Sequence, residues 1–156
     1  MPSASNLSFS HINLRGITGF VHDTKLKRDK FLYSHMISNE IAVCSVVETH
    51  LKLKTKPENI PVQYDFFGEG RHNAWGGTGL FFLRSLGCVE ITEDVCRDVN
   101  IEATFASFIY RSESFVVGSI YLPQSSDREI LSFLTVCDRV SKLGSDHVLI
   151  GTDAKC

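Results

Sequence analysis

The chain has 156 residues, of which 43% are hydrophobic and 22% charged, with a formal net charge of −2. That is enough chain for one domain with its own core, and the charge excludes a strongly basic nucleic-acid-coating protein. No apolar run approaches the ~20 residues of a membrane helix, and the N-terminal M-P-S-A-S-N-L-S lacks the basic and apolar regions of a secretory signal. The expectation is a soluble intracellular protein, nuclear or cytoplasmic, with no membrane partner.

Cys44, Cys88, Cys96, Cys137 and Cys156 are odd in number and scattered, with no C-x-x-C pair. They read as reduced thiols rather than a disulfide framework or zinc site, with Cys44 and Cys137 in the core. Charge is uneven: residues 1–56 hold eight Lys or Arg against four acids, a local +4, which leaves −6 for the remainder. Lys25, Lys27, Arg28 and Lys30, then Lys52, Lys54 and Lys56, are either phosphate contacts or a solvated helix face and loop.

In chain order, Phe9 to Leu14 reads as an opening strand ending at an Arg15-Gly16 turn, with Asn13 at its end. Thr24 to Asn39 reads as a helix, with Leu32/Met36 and Tyr33/Ile37 paired at i, i+4. Ile41 to Leu51 (I-A-V-C-S-V-V-E-T-H-L) has the β-branched, apolar composition of a strand buried on both faces, and it delivers Glu48 where the chain leaves the core. Strand, helix, buried strand is the opening of an α/β protein.

Residues 52–63, with Pro57 and Pro61, form a loop, and Tyr64 to Phe67 a short strand. The glycine-rich stretch around Arg71, His72 and Trp75 is neither G-x-G-x-x-G nor a P-loop. Gly76-Gly77 instead marks a tight entry into a buried strand containing Leu80 to Leu83. Cys88 to Ile91 is a short strand, followed by an acidic loop with Glu93, Asp94 and Asp98. Ile101 to Tyr110 and Ser114 to Tyr121 have hairpin spacing, and Pro123 stops the second. Ser126 and Glu129 match a capping box that opens a helix at Asp127. Ile130, Leu134 and Cys137 form its apolar stripe, widened by Leu131 and Val140, and Gly144 closes it. His147, a surface strand-start residue, leads Val148 to Ile150 into Gly151-Thr152-Asp153-Ala154-Lys155-Cys156. No internal repeat is visible.

Four strands thus end in polar groups: Asn13, Glu48, Tyr121 and Asp153. Gathered at one sheet edge, they would offer an acid for a metal, an acid to orient water, and an amide and phenol for a phosphate. That is the equipment of metal-assisted phosphodiester hydrolysis. A lone strand-end acid has a plainer alternative, a hydrogen bond to the next loop.

The ordered series I-N-L-R-G, V-V-E-T-H-L, G-G-T-G-L-F-F-L, S-I-Y-L-P-Q and L-I-G-T-D-A resembles the endonuclease/exonuclease/phosphatase superfamily. It is most like the apurinic-type endonuclease domains of non-LTR retrotransposons. The resemblance implies an α/β (α+β) fold, a partial four-layer sandwich of mixed β-sheets flanked by helices. It implies Glu48 as the ligand of Mg²⁺ (or Mn²⁺), Asn13 beside metal and phosphate, Tyr121 on the scissile phosphate and Asp153 aligning the attacking water. Arg15, Gln124 and Lys155 join them as candidate substrate-binding residues. Lys155 stands where the family pattern has an asparagine, and the family's later aspartate and Asp-His pair have no counterpart here. Residues 1–156 are therefore expected to form a single domain truncated at its C-terminal end. The expected activity is Mg²⁺-dependent cleavage of DNA, weak or absent in this fragment, with a reverse transcriptase downstream in a longer reading frame. The alternatives are a non-catalytic remnant or interaction domain on the same scaffold, and a phosphoesterase acting on a small phosphoester.

Overall fold

In the computed structural model, which describes residues 6–22, 24–70 and 76–154, β1 (Phe9–Asn13) runs parallel to β2 (Val43–Val47). The return between them is α1 (Arg28–Ser38). All five residues of β2 are buried, as its unbroken apolar, β-branched composition requires of a strand covered on both faces. β3 (Tyr64–Glu69) and β4 (Thr78–Leu83) complete a four-stranded sheet of order β1-β2-β4-β3. Gly76 and Gly77 both have positive φ, +79° and +92°, and β4 starts at the next residue, so the double glycine is the tight entry its sequence suggested.

A second sheet has the order β5-β6-β7-β8. It consists of β5 (Val89–Glu90), β6 (Glu102–Tyr110), β7 (Glu113–Leu122) and β8 (His147–Ala154). β6 and β7 form the hairpin, and β7 pairs parallel with β8 through α3 (Asp127–Lys142). The Ser126–Glu129 capping box is formed in full. The acidic loop contains a short helix, α2 (Thr92–Cys96).

The apolar side chains sort into three layers of contact. Leu32, Tyr33 and Met36 of α1 pack with Cys44, Val46, Phe66 and Phe81 on the outer face of the first sheet. Val43, Leu80 and Phe82 meet Ala106, Phe108, Phe115 and Val117 between the sheets. Phe105, Val116 and Ile120 meet Val95 of α2 and Val136 and Val140 of α3 on the outer face of the second. The result is helix, sheet, sheet, helices: two mixed sheets flanked by helices, as expected. No helix among the described residues is long and apolar enough to cross a membrane.

Several expectations need correction. The first helix begins at Arg28, not Thr24, because Thr24 Oγ1 bonds the Val21 carbonyl (2.9 Å) and Phe20 bridges to Lys27, which keeps Thr24 out of the helix. The buried face of α3 is Val136 and Val140 with Phe133. Ile130, Leu131 and Leu134 are exposed and Cys137 is only partly buried. In this orientation Phe133, Val136 and Val140 pack on Phe105, Val116 and Ile120 of the second sheet and on Val95 of α2, and Arg139 Nη1 donates to the Val95 (3.1 Å) and Arg97 carbonyls. His147 is exposed at the start of its strand, 2.9 Å from Glu113 Oε2, as expected. Arg71, His72, Trp75, Lys155 and Cys156 lie outside the described residues.

Candidate functional site

Parallel pairing makes β1 and β2 finish side by side, with Asn13 in register with Val47 and Glu48 next in the chain. The same pairing sets Tyr121 of β7 opposite Asp153 of β8. The four polar ends therefore come from two facing sheets, two from each, rather than from one sheet edge. They are joined crosswise. Asn13 Nδ2 donates to Asp153 Oδ2 (2.5 Å), and the Tyr121 hydroxyl donates to Glu48 Oε1 (2.9 Å). Each sheet supplies the donor for the other sheet's acid.

Glu48 sits in the left-handed region (φ +51°), a conformation that for a non-glycine residue costs on the order of 1–3 kcal/mol and survives only when its surroundings dictate it. Here they do. The Leu14, Gly16 and Ile17 amides donate to the Val47 (3.0 Å), Glu48 (2.7 Å) and Thr49 (3.0 Å) carbonyls, and the His50 amide donates to the Gly76 carbonyl (2.9 Å). Arg28 Nη1, reaching over from α1, donates to the Arg15 carbonyl and to the Gly16 carbonyl (3.0 Å), fixing the turn that in turn fixes Glu48. The Glu48 side chain is 15% exposed, so it is largely enclosed yet open to a ligand.

Burial, helped by the neighbouring Glu48 carboxylate, pushes the Tyr121 phenol up to about 12, so it remains a donor at neutral pH. His50 Nε2 lies 3.9 Å from Glu48 Oε2. Burial holds that imidazole below its usual range, with Arg28 adding to the effect and Glu48 opposing it. One step back from the four ends is a second polar rung. His11 Nδ1 is 2.9 Å from Ser45 Oγ, and Ser119 Oγ donates to the Val46 carbonyl (2.7 Å). Gly151 in β8 is glycine for a steric reason: a Cβ there would lie 2.2 Å from His11 Nδ1 and 2.5 Å from Ser45 Oγ.

The donor that could hold a metal is a hard oxygen. Glu48 offers a single hard carboxylate, which suits Mg²⁺ or Mn²⁺, since Mg²⁺ usually takes one or two protein carboxylates and keeps several waters. Among the described residues no group of three or more His, Cys, Asp or Glu side chains converges as a closed zinc cage would require.

No family model matches the chain, and no curated protein does. Solved structures do. The endonuclease domain of TRAS1, a telomere-specific non-LTR retrotransposon, superposes with a TM-score of 0.63 at 13% identity, covering 92% of this chain and 56% of that one. The AP endonuclease LMAP from Leishmania major gives 0.67 at 15%, covering 94% and 54%. D. rerio TDP2 complexed with a single-strand DNA product gives 0.64 at 17%, covering 94% and 60%. The chain has an endonuclease/exonuclease/phosphatase-type fold. It spans a little over half the length of each of these neighbours, and at these identities the likeness is one of fold.

Asn13, Glu48, Tyr121 and Asp153 are brought together by the two crossed hydrogen bonds. Arg15 and Gln124 do not join them by side-chain bonds. The Arg15 amide bonds Asn13 Oδ1 (3.0 Å), and the Gln124 amide bonds Glu129 Oε2 (3.1 Å) in the cap of α3, with both residues exposed. Lys155 is not among the described residues. Three contributors escaped the sequence reading: Arg28, His11 and Ser45. Arg28 was counted only as part of a basic run, and His11 and Ser45 carry no motif. Their register, two residues before Asn13 and Val47, is the one signal that places them beneath the site.

Proposed function

We propose that this edge is the phosphodiester-cleaving site of a divalent-metal-dependent endonuclease of retroelement type that acts on DNA. The observation behind the proposal is the crossed pairing of Asn13 with Asp153 and Tyr121 with Glu48 at the carboxyl ends of two parallel strand pairs. Strand carboxyl ends are the usual ligand site of α/β sheets. Glu48 would hold Mg²⁺ or Mn²⁺, which when bound neutralises phosphate charge. Asp153, oriented through Oδ2 by the Asn13 amide, keeps acceptor capacity to align a water for in-line attack. Tyr121, kept protonated, has one hydroxyl proton; here it goes to Glu48 Oε1, and it would have to leave that carboxylate to be given to a phosphate oxygen. Asn13 and the backbone around Glu48 hold these groups in place before substrate arrives.

Residues 1–156 act, on this reading, as a single domain, with β1 and β8 at edges of their sheets. The retrotransposon setting of the TRAS1 domain supports looking for a reverse transcriptase segment in the same reading frame.

The test is a Mg²⁺ titration of the chain followed by NMR, beside a plasmid-nicking assay. Saturable binding that disappears in Glu48→Ala, with any nicking lost in the same variant, is the expected result. Absence of Mg²⁺ and Mn²⁺ binding, or nicking that survives Glu48→Ala, would reject the proposal.

A further inference from the structure

Glu102 and Tyr121 are partners in the β6–β7 register, and each crosses the sandwich toward the first sheet. The Tyr121 hydroxyl meets the Glu48 side chain. Glu102 meets the Gly76-Gly77 turn, where its Oε2 accepts from the Gly77 amide (3.0 Å). The turn carries that contact to the backbone after Glu48. The His50 amide donates to the Gly76 carbonyl (2.9 Å), and the Thr49 amide, over a longer 3.5 Å, to that of Gly77. The second sheet thus touches this stretch twice, at the Glu48 carboxylate through Tyr121 and at the backbone beyond it through the glycine turn.

The turn has no room for side chains. A Cβ on Gly76 would stand 2.8 Å from Glu102 Oε2, and one on Gly77 would stand 2.5 Å from Thr49 Oγ1. The two glycines are therefore wedged between a carboxylate of the second sheet and the buried Thr49 that follows Glu48. Glycine backbone loses more freedom on ordering than any other, and two left-handed residues, Glu48 (φ +51°) and His50 (φ +54°), lie against it. Such a turn needs a firm partner, and a carboxylate accepting a backbone N–H makes a bond about twice as strong as a neutral one. One step deeper, Thr78 Oγ1 and Thr104 Oγ1 lie buried 2.8 Å apart, a tie between β4 and β6 that does not involve Glu102.

We infer that Glu102 is a positioning residue: by holding the Gly76-Gly77 turn it sets the backbone of residues 48–50, and with it the aim of the Glu48 carboxylate at a divalent cation. Glu102 acts through the turn and is not itself a ligand. The inference deepens the metal-dependent reading given above and rests on that reading for its last step, whereas the hold on the backbone stands apart from it.

Amide hydrogen exchange and a Mg²⁺ titration, both followed by NMR on the 156-residue chain, test the two steps separately. Without metal, Glu102→Ala should speed exchange of the Gly77 and His50 amides about tenfold. The amides of Val43–Val47 and the thermal melt should change little, because the Thr78–Thr104 contact and the packing between the sheets remain. Glu102→Gln, whose side-chain oxygen can still accept from Gly77, should restore the protection. In the titration, Glu102→Ala should weaken Mg²⁺ binding about tenfold, as the loss of a contact behind a metal ligand does, and Glu102→Gln should recover most of it. Unchanged exchange at Gly77 and His50 in Glu102→Ala, a loss of protection spread equally over Val43–Val47, or a Glu102→Gln variant as impaired as Glu102→Ala would each overturn the inference. Mg²⁺ affinity unaltered in Glu102→Ala would overturn the step from backbone to carboxylate. A wild type that binds no Mg²⁺ would reject the metal reading, and the exchange pattern would still decide whether Glu102 holds residues 48–50.

Discussion

β2 and β8 do the same job, delivering an acid at the carboxyl end of a parallel pair, and they are built in opposite ways. β2 is central in its sheet and every residue from Val43 to Val47 is buried. β8 is an edge strand in which only Gly151 is fully buried, and Val148 and Leu149 stay about 40% exposed. Glu48 is therefore fixed by a packed core and a ring of backbone bonds from its own sheet. Asp153 depends on β7 on one side and on contacts across the sandwich from Asn13 and His11. One half of the site is held by packing, the other by polar contacts between layers.

The largest expected effect tests the packed half. Leu80, fully buried beside β2, should cost about 2–5 kcal/mol when changed to Ala, seen as a lower urea midpoint with unchanged slope. Leu149→Ala on β8 should cost under about 1 kcal/mol. Equal losses would erase the distinction between the two strands.

A smaller effect tests the cross-layer contact. Gly151→Ala drives a methyl into His11 Nδ1 and Ser45 Oγ, which should cost roughly 1–3 kcal/mol. His11→Ala should recover part of that loss in the double variant, because the two sites touch. Simple additivity in the double-mutant cycle would show that His11 does not brace β8.

The smallest is a pH effect. Burial holds His11 below its ordinary value of 6.5, against the pull of Asp153. The unfolded chain then binds the proton more readily than the folded one. The contribution from His11 is full above pH 6.5 and is lost as the pH falls through 6.5 toward the folded value. His50 adds a term of the same sign. Chemical denaturation between about pH 7.5 and 5 should show stability falling with acid, and more shallowly in His11→Gln. A profile identical to wild type would remove His11 from the account.

Much of this was readable residue by residue. The β-branched run around Val43–Val47 and the Ser126–Glu129 box depend on local chemistry and formed as read, and the hairpin formed with a tighter turn, Arg111-Ser112, because Glu113 pairs with Tyr110. α3 was harder. Its apolar residues include both an Ile130/Leu134/Cys137 stripe and a Phe133/Val136/Val140 stripe, each acceptable to helical periodicity, and packing against the second sheet and α2 chose the second. The start of α1 failed for a related reason. Thr24 can cap or turn, and a bridge between Phe20 and Lys27 decided for the turn.

By itself the sequence determined which strands end in Asn13, Glu48, Tyr121 and Asp153, because side-chain type and strand length are local properties of the chain. Only the tertiary structure decided that these ends belong to two sheets, that each sheet's donor serves the other's acid, and that His11, Ser45 and Arg28 stand behind them. Those relations span up to 140 residues, and they arise because two twisted sheets must bury their inner faces against each other, which brings the ends of their parallel pairs together.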